Sequence, residues 1–190
     1  THDEQKTILS GNMRVLNSRL RDAIFFYQND LNLVKVHGMK AWNDKLKSVR
    51  FHEKLGSQYN RVERIVKIAV SLAKQFKLEE DEVRKAATLT KADLVSDLVT
   101  EFPSLQGKMG AHYAETEGCS ELVSCAIRDH YLPVSSNDKV PEEQLSIVLA
   151  LSDKIDYLTS LWKIGIRPTG NKDPLALRRT TLGIIRIILD

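Results

Sequence analysis

Ser57 to Phe76 reads SQYNRVERIVKIAVSLAKQF, and the spacing of its apolar residues decides the fold class. Val62, Ile65, Val66, Ala69, Leu72, Ala73 and Phe76 fall on one stripe at helical intervals, the pattern of an amphipathic helix that must lay one face on a partner. The same pattern recurs on both sides. Upstream, Met13, Leu16, Leu20, Ala23, Ile24 and Tyr27 repeat every three or four residues, with Arg14, Arg19, Arg21 and Asp22 opposite. They predict a helix over residues 10–31, with Ser10 as its cap. Residues 32–44 read as a loop with a short turn broken at Gly38, and Lys47–Gly56 is short and ambiguous.

Downstream, a helix opens at Leu78-Glu79-Glu80-Asp81, where acidic residues suit the helix dipole. It carries Val83, Ala86, Ala87 and Leu89 towards Val99, and Glu101-Phe102-Pro103 breaks it. Leu105–Glu115 and Ser120–His130 read as two further helices, and Pro133–Pro141 as a polar loop. Pro141 sits where a first helical turn favours it, opening a long apolar helix through Ile147, Leu151, Ile155, Leu158 and Leu161. Gly165–Pro174 is a loop, with Asp173 as N-cap and Pro174 at the first position of a last amphipathic helix running to Asp190. With no convincing strand and no repeat, the expectation is an all-α bundle.

The 190 residues suffice for one compact domain, or one domain with an appended arm. Hydrophobic residues at 42% and charged residues at 28% are an ordinary globular composition. A net charge of +3 and a pI near 8.8 permit contact with nucleic acid without requiring it. Cys119 and Cys125 form a C-x5-C pair that matches no common zinc pattern, so both read as reduced thiols. No apolar run reaches the roughly 18–20 residues that span a bilayer. The first residues, Thr1 to Lys6, hold no signal core. Lacking an initial Met and stopping within an apolar helical pattern, the chain reads as a segment of a longer protein.

Candidate chemistry is sparse. His2, His37, His52, His112 and His130 form no ligand pattern and read as surface or partly buried side chains. Asp153 and Asp156 share a helix face and can hold Mg²⁺ through oxygen ligands, or form a solvated polar stripe screened by Lys154. Gly165 to Asp173 only superficially resembles a phosphate loop, since Asn171 intervenes before Lys172 and Asp173 replaces the hydroxyl residue. Basic residues cluster at Lys172, Arg178 and Arg179, at Lys45, Lys47, Arg50 and Lys54, and at Arg61, Arg64 and Lys67. Each group serves equally as a phosphate contact or as a solvated face with local ion pairs.

Three long stretches carry a resemblance. Lys91 to Gly110, KADLVSDLVTEFPSLQGKMG, resembles the K-A-D-L-x-x-x-M-V-x-E-F-P-E-L-Q-G-x-M-G segment of glycyl-tRNA synthetase β subunits. His130-Tyr131-Leu132-Pro133 resembles their E-H-Y-L-P. Ala150–Lys154 and Ile164–Arg179 resemble A-L-A-D-K and I-G-x-x-P-T-G-S-x-D-P-F-A-L-R-R. Phe25–Tyr27 and Phe51–Gly56 fit as well. Departures are local: Ile24 precedes Phe25-Phe26 in place of Arg, Ser57-Gln58-Tyr59-Asn60 replaces T-L-Y-D, and Val34–Trp42 follows the bacterial pattern loosely.

The resemblance implies a degenerate HD-like helical domain over residues 46–190, preceded by an N-terminal helix and connecting loop over residues 1–45, or one compact unit of both. An active HD phosphohydrolase needs an early His, a His-Asp pair and a later Asp to bind metal. The corresponding positions hold Gln58, Thr90-Lys91 and Asp153, so only the last is kept, and a Lys there repels a cation. The resemblance therefore implies a non-catalytic region that supports ligation of glycine to its tRNA, with ATP and Mg²⁺ acting in a catalytic α region outside this chain. The alternative is an active HD-type phosphohydrolase. The implied partners are glycine tRNA, the α subunit or region and other β-subunit domains, with no membrane. Lys91, Lys172, Arg178 and Arg179 are the expected tRNA contacts. A bacterial chain is expected in the cytoplasm, and the departures point towards an organellar plant enzyme in chloroplast or mitochondrion.

Overall fold

The computed structural model describes residues 2–135, 137–169 and 173–190, with side chains from residue 8 onward. Nine α-helices and a two-stranded antiparallel hairpin run through the described residues. In order they are α1 (His2–His37), α2 (Lys40–Lys45), β1 (Arg50–His52), β2 (Gly56–Ser57), α3 (Gln58–Phe76) and α4 (Glu80–Leu89). Then come α5 (Asp97–Glu101), α6 (Lys108–Thr116), α7 (Glu121–Asp129), α8 (Gln144–Lys163) and α9 (Leu177–Leu189). The all-α expectation holds. The hairpin occupies the ambiguous stretch, where the sequence pattern shows no convincing strand.

The main core forms where α3, α4, α6, α7 and the first half of α8 meet. Ile65, Ala69, Ala73, Val83, Ala86, Ala87, Tyr113, Ala126, Ile127, Val148 and Leu149 are all buried there. The alanines let helices approach closely, and each large apolar side chain contributes roughly 1.5–3 kcal/mol by leaving water. Val34, Met39 and Trp42 belong to this same core, with Trp42 edge-on to Tyr113 at 5.1 Å, so core packing crosses residue 45. α9 packs on α8 through Ile187 and Ile184. No helix among the described residues is long and apolar enough to cross a membrane.

Helix starts explain several differences from the sequence reading. α3 opens with a reciprocal cap: Asn60 N–H donates to Ser57 Oγ at 3.3 Å, and Ser57 N–H donates to Asn60 Oδ1 at 3.1 Å. α1 runs through Ser10, which is an interior residue and not its cap. The helix expected to reach Val99 stops at Leu89, gives way to a 3-10 turn at Ala92–Val95 and restarts at α5, capped by Ser96. Its cause is Asp93, whose carboxylate accepts from the N–H groups of Gly107 at 2.6 Å and Gly110 at 3.1 Å. Gly107 has φ +77, and a Cβ on Gly110 would meet Asp93 and Ile127 at 3.0 Å, so the two glycines are required by this clasp.

α8 begins at Gln144 rather than at Pro141, and α9 at Leu177 rather than at Pro174. Asp173 still serves the start of α9 from outside it. Its two carboxylate oxygens accept from Leu177 N–H at 2.8 Å and Arg178 N–H at 2.9 Å.

Candidate functional site

α3 and α8 meet along a seam of charge. Arg61 and Arg64 lie three apart on α3, and Asp153 and Asp156 lie three apart on α8. Arg61 Nη2 donates to Asp153 Oδ1 at 2.9 Å. Arg64 grips Asp156 with two bonds, Nε to Oδ1 at 2.6 Å and Nη2 to Oδ2 at 3.2 Å. Arg61 Nε lies 3.5 Å from Asp156, joining the rungs. The Arg61 guanidinium sits over the rings of Phe51 at 4.7 Å and Tyr157 at 5.2 Å. Arg61, Asp153 and Asp156 are buried, which a charge tolerates only when paired and hydrogen-bonded.

Lys91, just after α4, completes the cluster from a third element and is 1% exposed. Its ammonium is 3.2 Å from Asp153 Oδ1, 2.8 Å from His130 Nε2 and 3.9 Å from the centre of the Tyr131 ring. Three hydrogens thus meet three acceptors. His130 Nδ1 lies 2.6 Å from the Ile127 carbonyl, so these partners assign the proton to Nδ1 and leave Nε2 to accept from Lys91. Burial, then the Lys91 charge, hold His130 neutral, well below its usual pKa. Burial pulls Lys91 down to about 8, against the attraction of Asp153. Burial also favours protonation of Asp153, but the charges of Arg61 and Lys91 outweigh it and hold the carboxyl well below the usual range.

The cluster forms the floor of a cleft of about 810 Å³. Lys108, Arg128 and Arg179 stand exposed on its rim, and Leu132, Pro133 and Leu175 give it apolar wall. Arg128 is taken up by a two-bond pair with Asp129 at 2.8 and 2.9 Å. Lys108 and Arg179 pair with no carboxylate among the described residues. Lys154, also lining the cleft, is 6% exposed and so is not the solvent-facing screen expected of it. Nor are Asp153 and Asp156 a solvated stripe; both are enclosed and paired. His130, expected at the surface or partly buried, is fully buried.

The residues present do not suit a metal ion. The Asp153 oxygen that would serve as ligand lies within 2.9 Å of Arg61 and 3.2 Å of Lys91, where a divalent cation would meet two like charges. Among the described residues no three His, Cys, Asp or Glu side chains gather to hold a metal. Gln58 opens α3 and Thr90 follows α4, and their side-chain oxygens are buried without hydrogen-bond partners.

Of the expected RNA contacts, Arg178 and Arg179 are exposed at the start of α9, and Arg179 reaches the cleft. Lys172 lies outside the described residues. Lys91 has its hydrogens committed internally and presents no exposed charge. Arg61 and Arg64, which the sequence offers equally as phosphate contacts, are instead the partners of Asp153 and Asp156. One signal points to that pairing: two cations three apart on one apolar helix, and two carboxylates three apart on another. His130 and Lys154 carry no local signal of their roles.

The family model described as "Glycyl-tRNA synthetase beta subunit" matches residues 1–190. A glycine–tRNA ligase β subunit from Dinoroseobacter shibae is 50% identical over 190 residues, covering 100% of this chain and 26% of its own length. Its counterpart in Paracoccus denitrificans is 49% identical over 189 residues, covering 100% and 27%. That of Neisseria meningitidis is 43% identical over 187 residues, covering 98% and 27%. The chain thus spans about a quarter of the length of the curated relatives it matches. With the match running from end to end, the chain belongs to the glycyl-tRNA synthetase β-subunit family.

Proposed function

We propose that this chain is a non-catalytic, RNA-positioning region of glycyl-tRNA synthetase. It supports ligation of glycine to its tRNA, while ATP and Mg²⁺ act in the α catalytic region. The observation that carries the reading is the distribution of charge around the cleft. Its inner carboxylate, Asp153, is already shared by Arg61 and Lys91, while Lys108 and Arg179 on the rim have no carboxylate partner among the described residues. Free cations at the mouth of a positively charged recess suit phosphate oxygens, which position RNA without reading its sequence. The family's named activity supports the choice of tRNA as the RNA. The HD-phosphohydrolase alternative has no donor set that suits metal among the described residues.

The test is charge reversal of Arg178 and Arg179 together in the complete enzyme. Affinity for glycine tRNA should fall, and the slope of log affinity against log salt should shrink by about one for each phosphate no longer neutralised. Unchanged affinity and slope would sink the reading and leave a structural spacer.

A further inference from the structure

The cleft holds more positive charge than its own carboxylates answer. Its described lining carries Arg61, Lys91, Lys108, Arg128, Lys154 and Arg179 against Asp129, which Arg128 takes, and Asp153, which Arg61 and Lys91 share. Lys154 is the unbalanced member. Its ammonium donates to the carbonyls of Tyr131 at 3.1 Å and His130 at 3.4 Å, leaving one hydrogen without a partner among the described residues. Burial and the nearby Arg61 charge pull its pKa down to about 8, against the attraction of Asp153. Its stem is pinned, because Gly183 on α9 leaves room for it; a Cβ there would meet Lys154 Cε at 3.1 Å.

We propose that the cleft seats one unstacked nucleotide of bound RNA. The phosphate meets Lys154 at the floor and Lys108 and Arg179 at the rim, and the base lies against Leu132, Pro133 and Leu175. This rests on the RNA-positioning reading and adds to it a specific, metal-free seat. The cleft volume of about 810 Å³ is within the range, roughly 300–1,000 Å³, of pockets that enclose a small ligand. A lining that holds both cations and apolar side chains matches the two chemistries of a nucleotide, an anionic phosphate and a flat base.

The test uses the complete enzyme and a fluorescein-labelled single-stranded RNA tetranucleotide, followed by anisotropy, with AMP and adenosine as competitors. AMP should displace the tetranucleotide and adenosine should not. Lys154→Met and, as an exposed variant that spares the fold, Lys108→Glu should each weaken tetranucleotide binding by about ten-fold or more, the effect of removing one charge-assisted hydrogen bond. Binding unchanged in both variants, or equal competition by adenosine and AMP, overturns the proposal. AMP binding that responds to both variants while the tetranucleotide fails to bind also overturns it, in favour of a free nucleotide. If the Arg178 and Arg179 reversal weakens tRNA while neither cleft variant affects the tetranucleotide, the RNA-positioning reading stands and the seat alone falls.

Discussion

Two helices of this chain invert the usual rule in opposite directions. α8 carries Asp153, Lys154 and Asp156 inside the protein, while α1 carries Ile8, Leu9, Met13, Leu16 and Leu20 on its outside. Residues 8–22 of α1 are exposed throughout, and only its later part docks, through Tyr27, Leu31 and Val34. Asp30 fixes that end, accepting from the N–H groups of Asp97 and Leu98 and from Tyr113 Oη at 2.9–3.0 Å. The contrast shows that polarity alone does not assign a side chain to core or surface. Partners do: the two α8 carboxylates have theirs on α3 and at Lys91, and the α1 stripe has none among the described residues.

The strongest way to break the comparison is to remove a partner from the buried side. Asp153→Ala leaves Arg61 and Lys91 enclosed without their shared carboxylate. Unfolding in urea should show a loss of about 3–5 kcal/mol, the cost of stranding buried charge. A loss below about 1 kcal/mol, on the scale of an exposed pair, would mean that water reaches the seam and that the cluster is effectively surface.

A smaller effect comes from Lys91→Met, which takes one cation away but leaves Asp153 its bond to Arg61. A loss of about 1–3 kcal/mol is expected, because His130 Nε2 is left buried without a donor. The pH dependence is more telling. Folded Lys91 gives up its proton near 8 and the unfolded side chain near 10.5. Between these values the unfolded state binds more protons, so this group makes stability rise with pH through that window. Lys154, shifted in the same direction to about 8, contributes in the same sense. The Lys91→Met variant should therefore keep only part of the alkaline rise. An identical rise in both proteins would show that Lys91 titrates as a solvated amine.

How much of this is legible in the sequence depends on the range of the cause. The stripe from Val62 to Phe76 is legible because helical period is local, and Val62, Ile65, Ala69 and Ala73 are indeed buried. The end of α4 is not, because Asp93 answers to amides 14 and 17 residues away. The rungs from Arg61 and Arg64 to α8 join residues 92 apart, so the matched three-residue spacings are legible but the contact between the two helices is not. Arg178 and Arg179 are picked out by family motif, and their exposure follows from α9 starting after Asp173. Lys91 is singled out by the same motif, but what a lysine there does depends on His130 and Tyr131, supplied by another helix end.

The smallest expected effect belongs to the exposed stripe, and it separates a helix that has a partner from one that only has the pattern. Periodicity from Met13 to Tyr27 says that a helix forms and has one apolar face; it says nothing about where that face is covered. Leu16 and Leu20 are 51% and 52% exposed. Replacing both with Glu should therefore change the unfolding free energy of this chain by no more than about 0.5 kcal/mol, as for surface sites remote from any packed feature. A loss above about 1 kcal/mol would show that the stripe is packed in solution and that α1 resembles α8 more closely than the fold suggests. A null effect here, beside a large one for Asp153→Ala, would show that in this chain a buried carboxylate matters more to folding than two leucines, because only the carboxylate has something to hold.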